Sequence, residues 1–190
     1  KAINFNIGYA ALQAEKNEAA LQYFDKAIEA GVNVSKCYEY KATAYNKLKD
    51  YTNALAMYEK ALEASEEKPG ALIMNAAVTA FRLENFEKSV TYFDQAYKAG
   101  FRPEDALLNK AGALKKLNKD EDYKAALVEG AAKFPANKKI TGALANVYVM
   151  EGNELYKDGV EVLNAANKKV NDGALKTDDP AYAAEVTKAK

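Results

Sequence analysis

The sequence predicts an all-α protein, built as a right-handed superhelical solenoid of antiparallel helix hairpins. Three observations predict it. Small and large residues recur in four columns at one period. Within each period, apolar residues follow the i, i+3, i+4 spacing of an amphipathic helix twice over. Sustained apolar/polar alternation, the mark of a half-buried strand, is scarce.

The columns come first because they fix the architecture. One holds Gly8, Ala42, Ala77 and Ala111. A second holds Ala20, Ala54 and Ser89, then departs to Tyr123. A third, of large residues, holds Phe24, Tyr58, Phe93 and Leu127. The fourth is small again: Ala27, Ala61, Ala96 and Gly130. In every column the steps are 34, 35 and 34 residues. Such a period is one supersecondary unit that buries its faces only by stacking on its neighbours. Small residues let paired helices approach, and the large residue fills the gap between them. Residues 1–136 therefore divide into four repeats, 1–34, 35–69, 70–103 and 104–136.

Each unit reads as two helices. In the first, Ile7, Ala11 and Ala14 share a face, and Glu15–Lys16–Asn17 breaks it. Ala20, Phe24, Ala27 and Ile28 form the next stripe, which Gly31 stops by offering a left-handed conformation. Leu48, Leu83 and Leu117 close the later first helices. Gly100 with Pro103, and then Pro135, mark boundaries, since proline cannot continue a helix interior.

Residues 137–190 break the register. Continuing it would put Lys157, Glu161 and Asn164 at core columns, at a high desolvation cost. Leu144, Tyr148, Gly152, Leu155, Gly159, Val162, Ala166 and Val170 are instead spaced by three or four throughout. This predicts a divergent fifth repeat with an elongated first helix over 138–170. The alternative is an ordinary turn at Gly152–Asn153, because each interior glycine costs roughly 1 kcal/mol relative to alanine. A polar loop over 171–178 follows. Asp179–Pro180 then reads as an N-cap and first-turn proline opening a helix over 180–190.

Composition excludes several classes. The chain is 49% hydrophobic and 28% charged, a balance that folds. Lys plus Arg and Asp plus Glu both number 27, so no global basic excess favours nucleic acid. There is no His, and Cys37 is the single cysteine, so neither a disulfide nor a His/Cys metal site is expected. No phosphate-binding loop or nucleophile turn is present, and Glu66–Glu67 and Asp178–Asp179 sit in polar connections. No catalytic residue, cofactor or metal is expected. The longest nearly apolar run, Ala71–Phe81, falls short of the roughly 20 residues that span a bilayer. The chain opens at Lys1, which points to a segment removed upstream and favours a periplasmic or cell-envelope location over a cytoplasmic one. The apolar stripe on the last helix points to further chain after Lys190.

These residues resemble the tetratricopeptide repeat, in the form expected of a bacterial protein. Gly8, Ala20, Phe24 and Ala27 match its pattern in the first unit, and Ala42, Tyr45, Ala54, Tyr58 and Ala61 in the second. Ala77, Ser89, Phe93 and Ala96 match in the third, and Ala111, Leu114 and Pro135 in the fourth. The family's early tryptophan is missing; Asn4, Tyr38, Ile73 and Leu107 stand there. The resemblance implies a non-enzymatic scaffold or adaptor that binds a protein or peptide segment on its concave surface. The alternative is a structural or oligomerising domain of a larger envelope or assembly protein. The family's inner-surface positions fall on Phe5, Tyr9 and Leu12; on Glu39, Thr43, Asn46 and Lys47; on Met74, Val78, Phe81 and Arg82; and on Leu108, Gly112, Lys115 and Lys116. This apolar strip with basic residues along it suits a partner with hydrophobic anchors and acidic flanks. The same residues read alternatively as packing between neighbouring first helices. Family members that grip a C-terminal carboxylate use Lys and Asn where Phe5 and Tyr9 stand, so that mode is not expected. Asn33-Val34-Ser35 matches a glycosylation sequon but equally supplies turn and cap chemistry.

Overall fold

A computed structural model describes residues 2–189. Among them the secondary structure is ten helices and no strand. The chain divides into two compact units, residues 1–140 and 141–190.

In the first unit α1 (Ile3–Gln13) pairs with α2 (Asn17–Glu29), and α3 (Val34–Lys47) with α4 (Tyr51–Glu63). The pairs α5 (Gly70–Arg82) with α6 (Phe86–Lys98), and α7 (Pro103–Lys116) with α8 (Asp120–Lys133), complete the four hairpins. Each hairpin also packs on the next, α2 on α3, α4 on α5 and α6 on α7. Helix α1 also touches α3 directly, so these two first helices adjoin on one side of the array.

The turns repeat as faithfully as the columns. Glu15, Lys49, Glu84 and Asn118 all adopt left-handed φ values of 59°, 61°, 61° and 55°. The amide that follows each one donates to the carbonyl five residues back: Lys16 to Ala11, Asp50 to Tyr45, Asn85 to Ala80 and Lys119 to Leu114. This is the Schellman closure, and it satisfies carbonyls that a helix end leaves orphaned. Two of the second helices then start on a side-chain cap. Asp50 accepts the Asn53 amide at 3.0 Å and Asn85 accepts the Lys88 amide at 3.2 Å. Pro103 opens α7 at a position where its missing N–H costs nothing.

The small and large columns form the core. Gly8, Ala42, Ala77, Ala111, Ala20, Ala54, Ala27, Ala61 and Ala96 are all buried, with Phe24, Tyr58, Phe93 and Leu127 between them. Ser89 is polar but buried, and its hydroxyl donates to the Ala77 carbonyl at 3.1 Å. Tyr45 is half-buried, and Tyr123 is half-buried with the Lys115 ammonium 5.3 Å from its ring centroid. Gly130 departs toward glycine for a steric reason. A Cβ there would lie 2.9 Å from Ile140 Cγ2 and 3.2 Å from Leu107 Cδ2. Pro135 lies in the connection after α8.

Two ion pairs at equivalent positions tie a second helix to the first helix of the next hairpin. Lys41 on α3 bonds Asp25 on α2, and Lys110 on α7 bonds Asp94 on α6 at 2.5 Å. The aliphatic stem of Lys41 is buried while its ammonium is paired, as burial of a charge requires.

In the second unit, α9 (Lys138–Asn171) runs 34 residues without a break through Gly152 and Gly159. The α10 helix (Pro180–Thr187) starts on Asp179, whose carboxylate accepts the Ala181 amide at 2.8 Å, and it ends before Lys188. Lys190, at the end of the expected last helix, lies outside the described residues. Helix α10 packs on the C-terminal half of α9. Tyr182 donates to Asn167 at 2.9 Å, Lys169 pairs with Glu185 at 3.1 Å, and Ala166 is buried. The apolar face read along α9 therefore splits. Val162, Ala166 and Val170 are partly or fully covered, whereas Tyr148 and Leu155 are 50% and 72% exposed.

Candidate functional site

The inner face of the first unit gathers side chains of three kinds. The first kind is aromatic. Phe5 and Tyr9 lie one helical turn apart on α1, and both meet Tyr40 of α3, with centroids 5.9 Å and 5.2 Å away. Phe24 backs the group, 6.2 Å from Phe5 in an edge-to-face contact and 5.7 Å from Tyr40. Such contacts add roughly 0.5–1.5 kcal/mol each beyond area burial and hold the rings in place. Tyr9 remains 42% exposed, so the cluster presents a fixed aromatic edge to solvent. Further along, Phe81 stacks edge-on against Phe86 at 5.3 Å, with Val78 and Leu108 half-buried nearby on α5 and α7.

The second kind is cationic. Lys47, Arg82, Lys115 and Lys116 sit in the last turns of α3, α5 and α7, and all are exposed. Cations there complement the partial negative charge of a helix C-terminus. Lys47 reaches the Leu12 carbonyl at 3.4 Å and lies 3.9 Å from Glu15. Arg82 sits 5.9 Å from the Tyr51 ring centroid. These are loose contacts that leave each head group open to a further anion.

The third kind is consumed internally. Asn46 Nδ2 donates to Thr79 Oγ1 at 2.9 Å and lies 3.5 Å from the Tyr58 hydroxyl. Thr43 donates to the Glu39 carbonyl at 3.1 Å. Leu12 and Met74 are buried in the core. Of the inner-surface positions read from the sequence, these two are placed to support the groove floor and not to touch a partner. Thr43 Oγ1 and Asn46 Nδ2 are spent on the joint between α3, α4 and α5, while Asn46 Oδ1 is buried without a hydrogen-bond partner among the described residues. Gly112 on α7 has the opposite character: no atom lies within 4 Å of where its Cβ would be, so the inner face is open there.

Sequence reasoning passed over Tyr40, Thr79 and the Lys41–Asp25 and Lys110–Asp94 pairs. The pairs carried a signal, since both lysines and both aspartates are 69 residues apart, two periods of the repeat. Thr79 shares an unread small-residue column with Ala10, Ala44 and Ala113, whereas Tyr40 stands where the other repeats have Asn6, Asn75 and Asn109 and gave none.

Cys37 is fully buried, and its thiol donates to the Val32 carbonyl at 3.3 Å. Burial, opposed only by Lys41, pushes its pKa up to about 11, which makes it an inert packing group. Asn33 caps α3 in a left-handed conformation, and Ser35 bonds the Ala61 carbonyl at 2.9 Å. Asn33 thus serves the turn without a side-chain cap bond, whereas Ser35 ties α3 to α4. No group of three or more potential ligands is arranged for a metal among the described residues. No helix among them is long and apolar enough to cross a membrane.

Stacked helix hairpins whose small and bulky residues interlock, and whose first helices line one open face, define a helical-repeat solenoid of the kind that serves as a protein-interaction scaffold. Residues 5–71, which span the first two hairpins, match the tetratricopeptide repeat family. Solved structures give the same fold to the rest. YrrB, a tetratricopeptide-repeat protein with an unusual peptide-binding site, is similar at a TM-score of 0.66 and 21% identity, over 80% of this chain and 79% of its own. A tetratricopeptide-repeat protein from Bacteroides fragilis NCTC 9343 is similar at 0.63 and 20%, over 82% and 83%. A double mutant of MamA RS-1 is similar at 0.63 and 15%, over 98% and 90%. No curated protein sequence matches the chain. Proteins of this repeat family are typically non-catalytic, and their fold implies protein or peptide partners.

Proposed function

We propose that the protein is a non-enzymatic adaptor whose inner face, from α1 to α7, holds a partner segment bearing hydrophobic anchors and acidic residues. One observation carries this reading. Exposed cations recur at the same end of α3, α5 and α7, beside an aromatic edge fixed by Tyr9 and Phe81 and an open floor at Gly112. Apolar side chains of the partner would desolvate against Tyr9, Val78 and Phe81. Its carboxylates would pair with Lys47, Arg82, Lys115 and Lys116. Exposed ion pairs add little affinity by themselves, so the cations chiefly set register and association rate. The peptide-binding site named for YrrB is in keeping with this reading.

The test is a peptide library displayed on phage and panned against the chain. Selected peptides should combine an aromatic or branched aliphatic residue with Asp or Glu, and bind more weakly as salt rises. The Lys47→Glu/Lys115→Glu double variant and Gly112→Trp should each weaken them on the order of tenfold, the first by charge and the second by filling the floor. Peptides that bind both variants unchanged, or that crosslink to α2, α4 and α6, would overturn the proposal.

A further inference from the structure

Helix α9 carries large apolar side chains that stand exposed to solvent. Val149, Leu155 and Tyr156 are 60%, 72% and 76% exposed. The face has a second property, visible only in the order of its residues. Val149, Tyr156 and Leu163 recur every seven residues, and so do Ala145, Gly152 and Gly159 between them. The stripe is thus a heptad seam with large residues at one core position and small residues at the other. No atom lies within 4 Å of a Cβ built on Gly152.

From this we infer that α9 pairs with α9 of a second copy, antiparallel, across a two-fold axis near residue 154. A parallel pair would set large against large and glycine against glycine, leaving voids. An antiparallel pair sets the two core positions against each other, so each bulky side chain meets a small one, which is how close-packed interfaces fill space. Tyr156 then lies over Gly152 of the partner copy, and Leu163 over Ala145 of the partner copy, with the same contacts returned across the axis. One patch thereby complements itself, as a closed two-fold dimer requires. Gly159 limits the far layer. The Ala189 carbonyl oxygen is 2.7 Å from where its Cβ would be, so that flank is already covered. The seam spans residues 145–163, about 28 Å of helix. Its area sits at the low end for stable interfaces, so the dimer forms in the micromolar range. The pairing does not depend on the groove of the first unit.

The test is sedimentation velocity of the chain from about 1 to about 300 µM, a range that brackets such affinities. A monomer–dimer equilibrium is expected. Tyr156→Glu and Gly152→Leu should each weaken it on the order of tenfold or more while far-UV circular dichroism stays helical. The leucine favours the helix and only blocks close approach. Lys115→Glu, in the groove, should leave it unchanged. Orientation is read by disulfide trapping. Ala145→Cys mixed with Leu163→Cys should give a crosslinked dimer, and neither variant alone should. Crosslinking of either variant with itself would overturn the antiparallel arrangement. A monomer throughout, a dimer indifferent to both substitutions, or assemblies that keep growing beyond two copies would overturn the pairing itself.

Discussion

Truncating Tyr58 to alanine tests the packing logic of the whole array. The ring is 3% exposed and sits among buried residues of α3, α4 and α5. Removing an aromatic ring from such a site costs roughly 3–5 kcal/mol, through lost transfer energy and the cavity left behind. The neighbouring small residues cannot close in, because their backbones are held by the hairpins on either side, so at least about 3 kcal/mol is expected. The hydroxyl contributes far less. Its contacts to Thr43 and Asn46 are both 3.5 Å, at the limit of a hydrogen bond, and Asn46 keeps its shorter bond to Thr79. Tyr58→Phe should therefore cost no more than about 0.5 kcal/mol. Urea unfolding followed by far-UV circular dichroism measures both, with the slope compared across variants because repeat arrays can unfold in parts. A loss below about 0.5 kcal/mol for alanine would mark the ring as solvated and refute the interlocking columns. A phenylalanine variant as unstable as the alanine one would show that the hydroxyl, and not ring volume, holds the joint.

Two further outcomes follow from the turns and the ion pairs. Glu84 holds a left-handed conformation that costs a side-chain-bearing residue more than glycine, so Glu84→Gly should stabilise the chain by about 0.5–1 kcal/mol in thermal or urea unfolding. A destabilisation would mean that the Glu84 side chain does structural work. Burial raises the pKa of Asp94, but hydrogen bonds from Lys110 and Lys98 outweigh it and hold the carboxyl below its ordinary value. A depressed carboxylate contributes stability above its unfolded pKa of about 3.9, and that contribution is lost as pH falls through the folded value. Stability measured against pH should thus fall below about pH 4 in the native chain and fall less in Asp94→Asn. An identical acid limb in both would remove Asp94 from the account.

The fold was legible because close packing writes itself into residue size. Ala54, Tyr58 and Ala61 announce a helix joint whichever partner they meet, since only small residues permit the approach and only a bulky one fills it. The left-handed turns were less legible. They are occupied by Glu15, Lys49, Glu84 and Asn118, not glycine, so local preference gave no warning and tertiary packing imposed the conformation. The inner face was legible in its cations and exposed rings. It was not legible in Leu12 and Met74, whose apolar character suits a groove and a core equally, nor in Thr43 and Asn46, whose polar groups turn inward to Tyr58 and Thr79. Sequence spacing reports which side of a helix a residue occupies but not how far the neighbouring helix leans over it.

The two buried-edge ion pairs have a mechanical consequence. Lys41–Asp25 and Lys110–Asp94 clamp the first hairpin to the second and the third to the fourth, and the middle joint is braced differently. There Ala76 stands in the lysine's place, and Glu59 bonds instead to Lys88 and Tyr92 of the third hairpin. Each joint is therefore braced, the outer two between a second helix and the next first helix and the middle one between the second helices α4 and α6. A bend at either end must therefore strain a brace at α2–α3 or α6–α7, whereas a bend at the centre strains the one at α4–α6.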